Sequence, residues 1–198
     1  MQKKEIIWRE LLIQSRTKKQ NIFTQKEIAN RLKVSLSTVF NALKPLRGAH
    51  IAEVSGRNFR LLSYEKLLYM WASFRKLDKD IIYRAATGVG AKNLEGLMPP
   101  SVVFGLYSAF SHQFGEEPAD YDHVYVYADE NKLGDILRRL PEEKPKLSPN
   151  FFILKKDNFL GEYQEMPPEQ IFIDIWNAPE WYAKDFLKAL EEKLRIKF

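Results

Sequence analysis

The sequence predicts a two-domain chain of the α+β / α/β class, with residues 1–75 and 76–198 as the domains. Three observations predict it. Charge divides unevenly: residues 1–75 carry 15 Lys and Arg against 5 Asp and Glu, whereas the other 123 carry 16 against 21. The first segment reads as three helices followed by a hairpin, with a fourth helix after it. The second interleaves strands with helices, the pattern of an α/β sandwich.

Residues 5–15 place Ile6, Ile7, Leu11, Leu12 and Ile13 at a helical period. A polar break at 17–21 ends that helix. Thr24 and Glu27 then form a capping-box pair, with Phe23 and Ile28 at the staple positions, so a second helix starts here and runs to about Leu32. Ser35 is the N-cap of a third helix that ends near Pro45. Residues 51–54 and 59–62 read as strands joined by a turn at Ser55-Gly56-Arg57-Asn58. Ser63 caps a fourth helix, from Tyr64 to about Leu77.

In the second domain, strands are predicted at 81–86, 124–128, 151–155, 161–164 and 171–176, and helices at 102–110, 132–140 and 180–194. Residues 87–100 read as a Gly/Pro-containing loop with room for a helical turn. Gly88-Val89-Gly90-Ala91-Lys92 lies in it; the run lacks P-loop spacing and its Ser/Thr, and reads as a turn. His50, His112 and His123 have no sequence neighbour at ligand spacing, and Trp176 and Trp181 are expected in the core.

The absence of cysteine excludes disulfides, thiolate zinc sites and thiol catalysis. No apolar run approaches the roughly 18 residues of a membrane span, and charges interrupt the N-terminal apolar stretch, unlike a signal peptide. The expectation is a cytoplasmic protein without a membrane partner. A basic domain joined to an acidic one suggests a polyanion-binding module attached to something else.

Residues 24–46, TQKEIANRLKVSLSTVFNALKPL, resemble the helix-turn-helix of many bacterial and archaeal regulators. The physical reading agrees with the resemblance. Ala29 is small enough for close helix packing, and Val34, Val39, Leu43 and Leu46 make an inward face. Ser37, Asn41 and Lys44 lie opposite, with Thr38 and Phe40 at the margins. A third helix so presented fits the major groove of an operator in duplex DNA. Asn41 suits adenine, Ser37 and Thr38 suit several bases, Phe40 a thymine methyl, and Lys44 lies on the same face. Lys33, Arg47, Arg57 and Arg60 would hold phosphates, and Gly56-Arg57 would form the tip of a wing. The N-terminal domain is therefore predicted to be a winged helix-turn-helix.

The second domain resembles a degenerate nucleotidyltransferase fold. Such enzymes need two carboxylates at alternate strand positions and a third on a neighbouring strand, holding two metal ions. Asp120 and Asp122 alternate, although Asp120-Tyr121-Asp122 reads equally as the polar lead-in to a strand, and Asp174 falls in the predicted strand 171–176. Gly105-Leu106 replaces the Gly-Ser or Gly-Gly that admits a triphosphate, so no catalytic residue, metal or cofactor is assigned. The alternative is a DNA-tethered, metal-dependent nucleotidyltransferase. Three segments, 98–109, 123–127 and 169–182, together with the N-terminal domain, resemble AbiEi-type antitoxin regulators of type IV toxin–antitoxin systems; Phe104 stands where that family has a small hydroxyl residue. The resemblance implies an autoregulating transcriptional regulator whose second domain neutralises a nucleotidyltransferase-like toxin.

Overall fold

The computed structural model describes residues 1–196. They form a mixed α+β architecture with two small sheets, divided into two compact units, Met1–Arg75 and Lys76–Arg195.

The first unit begins with α1 (Lys3–Lys18), whose N-terminus is closed by a reciprocal Gln2–Glu5 capping box. β1 (Ile22–Thr24) leads into α2 (Gln25–Arg31). Thr24 Oγ1 accepts from Glu27 N at 3.0 Å, and Thr24 N donates to Glu27 Oε2 at 3.5 Å. α3 (Leu36–Gly48) follows, with Ser35 Oγ accepting from Thr38 N at 3.1 Å. The helix does not stop at Pro45, as the sequence suggested; it continues for another turn. Proline removes one ladder donor, but Leu46 beyond it is fully buried, and that packing holds the turn.

β2 (Ala52–Ser55) and β3 (Asn58–Leu61) make a hairpin around Gly56-Arg57, where Gly56 adopts φ +57°. The antiparallel sheet has the order β1-β3-β2. β1 was not foreseen, because three residues are too few to display alternation; its Phe23 pairs with Phe59 and the rings stack at 5.5 Å. α4 (Tyr64–Phe74), capped by Ser63, closes the unit and ends one turn earlier than predicted. The core is built from Trp8, Leu11, Leu12, Ile28, Val39, Leu43, Leu46, Phe59 and Trp71.

The second unit contains β4 (Ile81–Ala85), α5 (Ala91–Leu97), β5 (Val103–Phe104), α6 (Leu106–Phe114), β6 (Val124–Ala128), α7 (Leu133–Leu137), β7 (Phe151–Lys155), α8 (Pro168–Trp176) and α9 (Ala183–Leu194). The sheet order is β4-β7-β6-β5. The central β6–β7 pair is parallel and both outer pairs are antiparallel. Strand alternation splits β6 between two helical layers. Val124, Val126 and Ala128 pack with Leu94 of α5 and Ile136 of α7. Tyr125 and Tyr127 face the side that carries α6, α8 and the start of α9.

Several expectations change here. Residues 171–176 are helical, not a strand. Ile171-Phe172-Ile173-Asp174-Ile175 is apolar enough for either, and a short buried run does not reveal its period. Pro168 at the first turn, where no amide donor is needed, starts the helix. Residues 168–175 are all buried, the polar Glu169, Gln170 and Asp174 included, so no solvent-exposed face marks the period. The predicted strand 161–164 is a 3-10 turn, Leu160–Glu162. The predicted helix 102–110 is instead β5 followed by α6, with the change of direction at Gly105, where a Cβ would lie 3.1 Å from the Tyr127 ring. Within the loop 87–100, the helical turn the sequence allowed is α5, about two turns long. Trp176 and Trp181 are not core residues; they are 44% and 73% exposed. No helix among the described residues is long and apolar enough to cross a membrane.

Candidate nucleic-acid interface

α3 owes its placement to its own apolar stripe. Val39, Ala42, Leu43 and Leu46 are buried and face α1 and α2. Ala29, 4% exposed, lets α2 approach closely, and Val34 N donates to Ala29 O at 3.0 Å to tighten the turn between the two helices. Lys33 sits in that turn with φ +48°, a left-handed conformation that favours glycine. Its side chain is exposed.

Outside that stripe α3 carries Leu36 at its edge and Ser37, Phe40, Asn41, Lys44 and Arg47 beyond, all exposed. At about 100° per residue, Leu36, Phe40, Lys44 and Arg47 lie within about 80° of one another. Lys44 Nζ stands 5.1 Å from the Phe40 ring centroid. Thr38 is only half-exposed, and its hydroxyl lies 2.8 Å from Ser35 Oγ; Ser37 Oγ lies 2.8 Å from the same atom. These two hydroxyls therefore serve the helix cap first. Leu36 was not singled out in the sequence, because at about 60° from Val39 and about 20° from Leu43 it falls beside the buried stripe on the wheel; its 54% exposure is a finding of the structure.

On the hairpin, Arg57 occupies the turn and Arg60 lies on β3, both exposed. β3 alternates, so Phe59 and Leu61 enter the core while Asn58 and Arg60 face outward. Arg60 shares a concavity of about 320 Å³ with Ile22, Glu53, Ser55, Asn58 and Phe59. Among the described residues, Lys33, Arg47, Arg57 and Arg60 enter no ion pair, so their charges are available to an external anion.

The carboxylates of the second unit have protein partners. Asp174 is fully buried on α8 and accepts hydrogen bonds from Tyr127 and, at 2.8 Å, from Gln170 Nε2. Asp122 Oδ1 accepts from Tyr182 OH at 3.0 Å and lies 2.6 Å from His123 Nδ1. Burial works against the Asp122 charge, but these two partners outweigh it and hold the carboxyl below its ordinary range. Asp120 lines a concavity of about 300 Å³ with Gly90, Lys92, Glu117 and Tyr121. Among the described residues, no three His, Asp or Glu side chains come together in a way that could hold a metal ion.

Glu180 organises the aromatic layer beneath β6. It accepts from Tyr107 OH at 2.8 Å and Tyr125 OH at 2.6 Å. Burial and the Glu180 charge push both phenols well above their usual range. His112 and His123 also acquire partners across the fold: His112 Nε2 lies 3.1 Å from Glu95 Oε2, and His123, already beside Asp122, stacks on Phe152 at 5.6 Å. Lys92 of the glycine-containing run pairs with Glu117 and reaches Tyr121 OH at 3.2 Å. Burial lowers its pKa, but these partners outweigh burial and keep it charged.

No protein-family model, no curated protein and no solved structure matches this chain.

Proposed function

We propose that the first unit is a winged helix-turn-helix and that the protein is a sequence-specific, duplex-DNA-binding transcriptional regulator. The observation that carries this reading is the outward face of α3. It lies opposite a well-buried stripe, is exposed from Leu36 to Arg47, and is joined by the cations of Lys33, Arg57 and Arg60. In this reading α3 enters the major groove and the β2–β3 hairpin reaches neighbouring backbone. Asn41 and Lys44 meet base edges, while Lys33, Arg47, Arg57 and Arg60 meet phosphates. The second unit acts without catalysis, its Asp122 and Asp174 carboxylates being engaged by Tyr182, His123, Tyr127 and Gln170. The experiment is equilibrium binding of the whole chain to a mixed-sequence duplex. Arg57→Ala/Arg60→Ala should weaken it at least ten-fold; equal affinity of variant and wild type would sink the reading.

A narrower reading makes the regulator an AbiEi-type antitoxin whose second unit binds a nucleotidyltransferase-like toxin. Its support is that the three resembling segments occupy elements in mutual contact: β5 and α6, β6, and α8 with the start of α9. Co-expression should restore growth to cells producing such a toxin encoded beside this gene; continued toxicity with both proteins folded contradicts it.

A further inference from the structure

Leu36 and Phe40 are large apolar side chains left in solvent on α3, at 54% and 42% exposure. The core does not use them, since Val39, Ala42, Leu43 and Leu46 supply the buried stripe. Four residues apart, they stand one above the other on the outward face, with their Cβ atoms about 6 Å apart. A single exposed Leu or Phe is ordinary; the setting of this pair is not. The row continues into Lys44, whose ammonium lies over the Phe40 ring, and Asn41 flanks it. A helix that docks in an apolar protein groove repeats its anchors at the third or fourth residue and again at the seventh. Here the seventh residue on, Leu43, is buried, and the eighth is the cation Lys44. The basic surroundings match a polyanion instead, and the apolar groups of the DNA major groove are thymine methyls beside hydrogen-bonding base edges.

We propose that α3 reads the 5-methyl groups of two thymines, one with Leu36 and one with Phe40, beside an adenine read by Asn41. The inference rests on the DNA-binding reading and names what that helix selects. With base pairs stacked about 3.4 Å apart, the two methyls lie within about two base-pair steps of each other. The Ser37 and Thr38 hydroxyls, both directed to Ser35, contribute to the cap and leave discrimination to the Leu36–Phe40 row and Asn41.

The test uses the full chain to enrich duplexes from a randomised library. Each dT of the enriched sequence is then replaced by dU, which removes a methyl and no hydrogen-bonding atom. Affinity should fall about four-fold at each of two positions, the factor for one buried methyl-sized group. Leu36→Ala should lose the sensitivity at one position and Phe40→Ala at the other, each measured at a temperature where the variant is fully folded, since neither side chain belongs to the core. Duplex binding that no dT-to-dU change alters, that enriches no sequence, or whose sensitivity survives in both variants overturns the inference and leaves DNA binding standing. Variants that change the oligomeric state but not the dU response assign this face to protein and also overturn it. A folded chain that binds no duplex overturns both readings.

Discussion

The indole N–H of Trp8 donates to the carbonyl oxygen of Ala42 at 2.9 Å, joining residues 34 positions apart. Trp8 is fully buried and meets Phe74 edge-on at 5.6 Å, so α1 grips the middle of α3 while α4 backs the ring. The orientation of the outward face of α3 therefore depends on a residue that is nowhere near it. Trp8→Phe retains an aromatic ring but removes the donor. It is expected to lower stability by about 1–3 kcal/mol, the range for a buried polar group that loses its partner. Urea unfolding would measure this, and a midpoint unchanged from wild type would show that the bond contributes nothing.

Lys33 combines a left-handed backbone with an exposed charge, which the proposed function assigns to a phosphate. Lys33→Gly relieves a left-handed conformation that costs an ordinary residue about 1 kcal/mol. The variant is expected to melt higher and bind duplex DNA more weakly. Thermal melting and a binding titration on the same sample separate the two effects. A variant both less stable and equally tight would contradict the placement.

Asn41 and Arg57 should fail in different ways. Asn41→Ala is expected to cost about 1–3 kcal/mol on the preferred sequence and little on random DNA, because a base contact discriminates. Arg57→Ala should weaken binding to both alike. Equal losses on specific and random DNA for Asn41→Ala would remove it from the reading surface.

Asp174 is expected to be structural. Asp174→Ala leaves Tyr127 and Gln170 without their shared acceptor and should lower stability by about 1–3 kcal/mol. DNA binding at a temperature where the variant is folded should be unchanged. Magnesium- or manganese-dependent nucleotide transfer by the wild type that Asp174→Asn abolishes at unchanged stability would favour the enzyme alternative.

Alkaline stability follows from Tyr107 and Tyr125. Burial, and then Glu180, raise both phenols above the unfolded value near 10. Above about pH 10 the unfolded chain releases protons that the folded chain retains, so stability falls as pH rises, by up to about 1.4 kcal/mol per pH unit for each tyrosine. Tyr125→Phe should make that fall shallower. Denaturation midpoints between pH 9 and 11 that do not change for the wild type would contradict the burial of these hydroxyls.

Local chemistry made the first unit readable. Thr24 with Glu27, and Ser35 and Ser63 as caps, mark helix starts through contacts three residues apart, and Gly56 marks the hairpin. β1 was hidden because its three residues are too few to display alternation and its partner β3 is remote in sequence. In the second unit the errors cluster where burial erases the pattern, as in α8, or where one residue changes the chain direction, as at Gly105. The face containing Ser37, Phe40, Asn41 and Lys44 was legible from helical spacing. The diversion of Ser37 and Thr38 to Ser35 was not, because hydroxyl direction has no sequence period. Tyr127 beside Asp174, and Tyr182 and Phe152 beside His123, were hidden for a further reason: they lie on other elements, brought together by the sheet and its helices.

The central claim is most directly tested by the salt dependence of duplex binding by the full chain. Four phosphate contacts, from Lys33, Arg47, Arg57 and Arg60, should give a slope of log affinity against log salt of about −4, and Arg57→Ala should reduce its magnitude by about 1. Binding whose affinity does not change with salt, or a slope identical in wild type and Arg57→Ala, would contradict the account.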